Sequence, residues 1–165
     1  EEGFALLRPL IANREELTKR LKASRDALAT MVNVDASRLG AIGYCFGGLC
    51  ALDIARRKME GIRFIPNLGS RLLPFPGADL TEIRASIQVH NGEADPHIEQ
   101  VIKRGFYEEM RTRKADFQFI DDSGALHGFT EPHANKMGEA TVAYHRKAAK
   151  RSWLMARQFL REILM

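Results

Sequence analysis

The chain has few cysteines, no long apolar run and no signal peptide, and each absence excludes a class of protein. Only Cys45 and Cys50 occur among the 165 residues, too few for a disulfide framework and suited to a reducing compartment. No apolar stretch is long enough to cross a bilayer. The sequence also lacks C-x-x-C and H-x-x-x-H spacings, which disfavours a metal site. We therefore expect a cytoplasmic protein with no metal and no membrane partner.

The composition is that of one ordinary globular domain spanning residues 1–165. Apolar residues make up 45% and charged residues 28% of the chain, and no repeat, linker or low-complexity tract divides it. The net charge of +4 is mild, and the basic residues are scattered over helix-like stretches without interleaved aromatics. A solvated surface is therefore favoured over a nucleic-acid site.

Apolar periodicity predicts helices and strands in alternation. The predicted helices are 14–30, 46–58, 96–113 and 139–164, and the predicted strands are 38–44, 62–66, 86–90 and 115–120. Residues 1–12 form a mixed apolar lead-in that contains Pro9, and loops are expected at 67–80 and 121–135. The first helix is capped by Asn13 and should turn Leu17, Leu21, Ala27 and Leu28 towards the core. This alternation predicts a three-layer α/β fold around a parallel sheet.

The segment 43–47 reads Gly-Tyr-Cys-Phe-Gly and joins a predicted strand to a predicted helix. This is the pattern of a nucleophile elbow, G-x-Nu-x-G, with Cys45 at the tip. Gly43 and Gly47 lack side chains, so that strand and helix can approach closely around a strained residue. The thiol would lie at a helix N-terminus, which favours the thiolate and a pKa below about 8.5. The alternative is that Cys45 is an inert buried cysteine.

Three predicted strands carry chemistry where they end. Cys45, Asp95 and His127 each follow such an end, and function gathers at the carboxyl ends of parallel strands. The order nucleophile, acid, histidine is that of the α/β-hydrolases. In that arrangement His127 moves the proton, Asp95 orients the imidazole, and the amide of Phe46 donates to the oxyanion.

The acid has rivals. Asp95 precedes Pro96, so that it could merely cap a helix, since Asp suits the N-cap and Pro the first helical position. Asp121 and Asp122 also lie near a strand end, beside turn-forming residues.

The histidine has rivals too. His133 lies in the same predicted loop as His127, which is favoured because it is nearer the strand. His90 within a strand and His97 near a helix start are expected to be structural, and His145 is expected to be exposed.

The chain resembles the dienelactone hydrolase family of α/β-hydrolases. The resemblance rests on Ala-Ile-Gly-Tyr-Cys-Phe-Gly-Gly at 41–48, Val-His-Asn-Gly-Glu-Ala-Asp-Pro at 89–96 and Ala-Leu-His-Gly-Phe at 125–129. It implies a catalytic triad of Cys45, Asp95 and His127, no cofactor, and hydrolysis of lactones or small esters as substrates.

The resemblance covers nearly the whole chain but only the C-terminal two-thirds or so of the family's fold. No strand is evident before residue 13, and the chain begins with Glu1 rather than Met. We therefore expect a domain incomplete at its N-terminus, lacking the strands that carry the second oxyanion donor. An incomplete sheet leaves a strand edge uncovered, so self-association is expected.

The sequence predicts a cysteine-dependent hydrolase that forms a thioester intermediate. One alternative is a non-catalytic remnant or interaction module of the same fold, because half of the oxyanion hole is expected to be missing. The other is a thiol redox protein using Cys45 and Cys50, whose five-residue spacing is not a redox motif.

Overall fold

Helices and strands alternate along the chain, as the sequence predicts. The computed structural model describes residues 2–70, 72–74 and 81–164, with the backbone alone for 2, 4 and 63–70. The strands are β1 Leu39–Gly40, β2 Gly43–Cys45, β3 Ile62–Ser70, β4 Ser86–Gly92 and β5 Phe117–Asp122. The helices are α1 Glu2–Ala12, α2 Arg14–Ala29, α3 Phe46–Arg56, α4 Gln100–Thr112 and α5 Arg146–Leu164, with a 3-10 turn at Ala134–Lys136.

All strand pairs in the sheet are parallel. The order runs β1, β3, β4, β5, and β2 pairs with β3 on the same side as β1. The prediction of one strand over 38–44 is wrong, because the chain leaves the ladder at Ala41 and Ile42 and rejoins it at Gly43. The two short strands thus form one edge of the described sheet, and the elbow lies at that edge.

Helices cover both faces of the sheet, which confirms the three-layer α/β prediction. On one face, α3 and α4 pack over Ile87 and Val89 of β4 in the main apolar core, with Phe106 and Met110 contributed by α4. On the other face, α5 contacts β3 and β4. The helices thereby hold the carboxyl ends of β2, β4 and β5 on the same side of the sheet, and the predicted site residues follow these strand ends. Among the described residues, no helix is both long and apolar enough to cross a membrane.

The N-terminal part of the chain is more helical than predicted. Residues 2–12, to which the sequence assigns no element, form α1 although Pro9 lies within it. Asn13 caps α2 as predicted, since its side-chain oxygen accepts from the amide of Glu16 at 3.1 Å. The predicted core face of α2 is correct at Leu17 and wrong at its C-terminal end, where Leu28 is exposed.

Three other predicted boundaries are wrong. Strand β3 runs on to Ser70, into the stretch predicted as loop, of which residues 71 and 75–80 lie outside the described part. Helix α4 begins at Gln100 rather than at Pro96. Helix α5 begins at Arg146 rather than at Glu139. In the last two cases the residues before the helix form turns that hold the candidate site.

A set of buried charges ties α2, α3 and α4 together, and we call it the buried charge network. Asp53 accepts from Arg14 Nε at 2.6 Å, and Arg56 Nη1 lies 3.5 Å from the same carboxylate. Arg56 also binds Glu109 in a bidentate pair at 2.9 and 2.7 Å. Arg113 contacts Glu109 at 3.3 Å and donates to the carbonyl of Arg56 at 2.6 Å. Each charge therefore has an opposite charge or a carbonyl beside it, as burial requires.

Candidate active site

The backbone at Cys45 has the strained geometry of an elbow. Cys45 has φ 50° and ψ −115° between β2 and α3, a conformation that side chains rarely adopt. A Cβ at Gly43 would lie 2.0 Å from the carbonyl oxygen of Gly47, so only glycine fits at Gly43. At Gly47 a Cβ would meet nothing within 4 Å among the described residues. The expected need for glycine is thus confirmed at Gly43 and stays a prediction at Gly47.

Asp95 lies in a turn after β4 and does not cap the following helix. The amide of His97 donates to its Oδ1 at 2.8 Å, and the amide of Ile98 donates to its carbonyl at 3.2 Å. The N-cap of α4 is Glu99 instead. The helix-start alternative for Asp95 is therefore wrong. The turn leaves Oδ2 available at the end of the sheet.

His127 follows β5 and is held by the segment before α5. Its amide donates to the carbonyl of Thr141 at 3.2 Å, and its carbonyl accepts from Ala143 at 3.1 Å. This bridge explains why α5 starts late, because residues 141–143 are extended alongside His127. The Nδ1 atom of His145 then accepts from the amide of Ala148 at 3.1 Å, at the first turn of the helix.

The structure brings Cys45, Asp95 and His127 together. Asp95 Oδ2 lies 2.8 Å from His127 Nδ1, and His127 Nε2 lies 3.3 Å from Cys45 Sγ. Asp95 is 4% exposed. Their side chains come from three different strand ends, as the parallel topology predicts. Their catalytic roles stay predictions.

The electrostatics of the Asp95–His127 pair favour a charged imidazole. The hydrogen bonds to Asp95 and then to Cys45 raise the pKa of His127 to about 9, against the opposing effect of burial. Burial raises the pKa of Asp95, but hydrogen bonds from His127 and the His97 amide outweigh it and hold that pKa below its ordinary value. The raised pKa favours the imidazolium form of His127 at neutral pH, with Nδ1 beside the carboxylate and Nε2 beside the sulfur.

The amide of Phe46 begins α3, directly after Cys45. The first amides of a helix have no partner within the helix, so this one is available to an oxyanion. Among the described residues before β1 there are two helices and no strand. Sequence reasoning expected a second oxyanion donor from a loop after an earlier strand, and the described residues contain no such loop.

A cavity of ≈350 Å³ opens beside the thiol and the imidazole. Its lining consists of Tyr44, Cys45, His127, Gly128, Phe129, Thr130 and Glu131. Gly128 has φ 66°, which turns the chain sharply after His127. A small ester could therefore reach Cys45 and His127 from one side.

Sequence reasoning missed the part that His97 plays beside the site. Its ring packs edge-on against the ring of His127, with centroids 5.3 Å apart. Its Nε2 lies 3.3 Å from the hydroxyl of Thr141, the residue whose carbonyl holds the His127 amide. The sequence offered one signal, the spacing Asp-Pro-His, which places a second histidine in the turn of the candidate acid.

The rival residues lie elsewhere. Asp121 forms an ion pair with Lys103 at 2.9 Å. His90 is fully buried, bonds to Gln88 at 3.0 Å, and its pKa is lowered to about 4 by burial. His133 is exposed and its amide donates to Glu131.

The second cysteine and the other histidine are also accounted for. Cys50 is partly buried on α3, and burial raises its pKa to about 11. Neither Cys45 nor Cys50 forms a disulfide. His145, expected to be exposed, is partly buried. No group of three or more His, Cys, Asp or Glu residues within the described part of the chain could hold a metal ion.

A parallel sheet covered by helices on both faces, with a nucleophile elbow at a strand end, defines the class of α/β-hydrolases. The chain belongs to the dienelactone hydrolase family, whose sequence model matches residues 1–164. Membership supports an ester or lactone hydrolase as the class of activity.

Two relatives in sequence and one solved structure are among the proteins that this chain is similar to. An uncharacterized protein of Caenorhabditis elegans, K02A2.1, is 43% identical over 148 residues, covering 89% of this chain and 94% of that protein. A Bradyrhizobium protein, a probable 2-oxo-3-(5-oxofuran-2-ylidene)propanoate lactonase, is 30% identical over 127 residues. P91, a dienelactone hydrolase-like promiscuous phosphotriesterase from metagenomic libraries, is 30% identical to this chain in sequence. Its crystal structure superposes on this one with a TM-score of 0.90.

The share of each relative that the chain spans differs. The match covers 73% of this chain but 48% of the Bradyrhizobium lactonase. It covers 96% of this chain and 66% of P91. The chain thus spans about half of one relative and about two thirds of the other.

Proposed function

We propose that this chain hydrolyses carboxylic esters or lactones, with Cys45 as nucleophile and a thioester as intermediate. The observation that carries the proposal is the continuous line of contacts from Asp95 Oδ2 through both nitrogens of His127 to Cys45 Sγ, at 2.8 and 3.3 Å. A nucleophile contacting a base, itself oriented by a third group, is the signature of covalent catalysis.

The first half-reaction forms the thioester. The Cys45 thiolate attacks the carbonyl carbon of the ester, and the carbonyl oxygen becomes an oxyanion that accepts from the amide of Phe46. When the tetrahedral intermediate collapses, the carbon–oxygen bond to the alcohol breaks. The proton on His127 Nε2 passes to the departing alkoxide. His127 can act as the general acid because its pKa is raised to about 9.

The second half-reaction hydrolyses the thioester and releases the carboxylic acid product. His127, now neutral, accepts a proton from a water molecule that attacks the thioester carbonyl. The second tetrahedral intermediate expels the Cys45 thiolate, which regains its contact with the protonated imidazole. Asp95 stays ionised and keeps the ring oriented throughout, as the carboxylate does in triads.

The names of two relatives support hydrolysis of lactones or esters as the reaction class. One is named a probable lactonase, and another is a dienelactone hydrolase-like protein. The activity of a whole family member is proposed for this chain on the site's geometry together with these names.

Hydrolysis of p-nitrophenyl acetate by the purified chain tests the proposal. We expect release of p-nitrophenol and an acetyl adduct on Cys45, detected by mass spectrometry of a rapidly acidified sample. Cys45→Ala should abolish both signals. Cys50→Ala is the matched control and should keep them.

The expected rate is low, because the described residues supply one oxyanion donor, and loss of a second costs about two to three orders of magnitude. An intact Cys45 protein with neither turnover nor an adduct would contradict the proposal and favour the non-catalytic module. That alternative rests on the same observation of a single donor.

A further inference from the structure

The described residues that line the cavity beside the thiol include one acidic side chain. Seven described residues line it, and among these Glu131 is the acidic one and none is Lys or Arg. Cys45 and His127 also line the cavity, and as thiolate and imidazolium they would cancel each other's charge. Among the described lining residues Glu131 then supplies the uncompensated charge, and the ionised Asp95 behind His127 adds a second negative charge that is buried.

The carboxylate of Glu131 is held in position. Its Oε1 accepts from the amide of His133 at 2.9 Å, and its own amide donates to the carbonyl of Gly128 at 2.8 Å. The carbonyl of Glu131 accepts from Ala134 at 3.0 Å. These bonds fix the turn that joins Glu131 to His127, so the carboxylate keeps its place in the cavity wall.

Tyr44 supplies an aromatic ring on the same cavity. It precedes the nucleophile and is 46% exposed. Burial of the remainder raises the pKa of its phenol, which therefore stays neutral at working pH. A neutral aromatic ring attracts cations through its face, and the effect adds to that of a nearby carboxylate.

We propose that this cavity selects substrates that carry a positively charged group, such as an ammonium on the acyl or the alcohol part, with Glu131 as the specificity-determining residue. That the selected molecule is a substrate rests on the proposed function. The charge selection itself depends only on access to Cys45. One unit charge in a partly solvated site changes the rate for a charged reagent by roughly three- to tenfold, and salt reduces the effect.

Charge-matched methanethiosulfonates test the selection without turnover. The Cys45 thiolate attacks the sulfenyl sulfur, a disulfide forms, and methanesulfinate leaves. We would compare the trimethylammonioethyl, methyl and sulfonatoethyl reagents on Cys50→Ala protein, each rate divided by that for free cysteine. The corrected rates should fall in that order. The ratio of the cationic to the anionic reagent should shrink at high salt.

Two variants at acidic positions sharpen the test. Glu131→Gln keeps an acceptor for the His133 amide and should lower the cation-to-anion ratio by at least about threefold. Glu108→Gln removes the same charge from an exposed position on α4 and should leave the ratio unchanged. Equal corrected rates for the three reagents, or a ratio that Glu131→Gln does not change, would overturn the inference.

Ester hydrolysis then separates this inference from the proposed function. The series consists of p-nitrophenyl hexanoate, its 6-trimethylammonio derivative and the p-nitrophenyl monoester of adipic acid. We expect kcat/KM to be highest for the cationic ester and lowest for the anionic one. Failure to hydrolyse any of the three would count against the proposed function, while the thiosulfonate ratios still decide on charge selection.

Discussion

Asp53 and Asp95 are both almost fully buried and both bind cations, yet their partners differ in kind. Asp53 lies among the guanidinium groups of Arg14 and Arg56 inside the buried charge network. A guanidinium keeps its proton at any working pH. Asp95 contacts an imidazole, which gives up and regains a proton, and that imidazole touches a thiol at a cavity. Similar burial therefore surrounds a carboxylate with permanent cations in one place and places it beside a titratable group in the other, where we propose that it supports proton transfer.

The largest effect should come from breaking the Asp95–His127 pair. In His127→Asn the amide nitrogen replaces Nδ1 and keeps a donor for Asp95, but nothing remains to contact Cys45. We expect esterase turnover to fall by roughly 10³- to 10⁴-fold. Above about pH 9, where the imidazole is neutral in both states, the free energy of unfolding in urea should change little. A variant with near-normal turnover would show that His127 is not the acid–base group.

The opposite result is expected for the buried charge network. Asp53→Asn removes the buried carboxylate that Arg14 and Arg56 share, while Arg56 keeps its pair with Glu109, and the loss should lower the free energy of unfolding by roughly 3–5 kcal/mol. Turnover per folded molecule should be retained. Asp26→Asn, which breaks an exposed pair with Lys22 on α2, is the control and should unfold like the wild type. Equal stability of the two variants would contradict this assignment.

A smaller effect is expected at His97, which we regard as a positioning residue. Removing its ring in His97→Ala frees Thr141 and the edge of His127, and should lower kcat by about ten- to a hundredfold with little change in KM. His97→Phe keeps the ring contact but loses the hydrogen bond to Thr141, so its kcat should lie between those of the wild type and His97→Ala. A shift in the pH profile of kcat/KM must accompany the loss, because a merely structural role would leave that profile in place.

The smallest effect is a dependence of stability on pH. The pKa of His127 is raised from 6.5 to about 9, so the folded state binds more protons than the unfolded state between those values. The stabilisation is fully present below about pH 6.5 and is lost as the pH rises through about 9. The difference in unfolding free energy between wild type and His127→Asn should therefore shrink across this range. A constant difference would argue against the raised pKa.

The sequence predicted the candidate site better than it predicted what supports the site. Cys45 is marked by a local pattern, and Asp95 and His127 by their places after strands in a parallel sheet. His97 was missed because its ring and hydrogen-bond contacts are with His127 and Thr141, far along the chain. The extended segment at 141–143 was also missed, since its apolar pattern continues into α5 and looks helical.

The buried charge network was not predictable from local sequence. Arg14 and Asp53 are 39 residues apart, and Arg56 and Glu109 are 53 apart. Arginines on helices ordinarily face solvent, so periodicity places them outside the core. The exposure of Leu28 has a related origin. Helix α2 is anchored at its N-terminal end by Arg14 and Leu17, and no continuous apolar face buries its C-terminal end.

The separation of the site residues along the chain has a consequence for folding kinetics. Asp95 and His127 are 32 residues apart, and Cys45 and His127 are 82 apart. Contacts this distant must wait until the intervening loops have been closed, which makes them late and slow to form. The Cys45–His127 contact should therefore appear with the last phase of refolding, after the helices have regained their circular dichroism. The reactivity of the Cys45 thiol during refolding therefore reports when the sheet is complete.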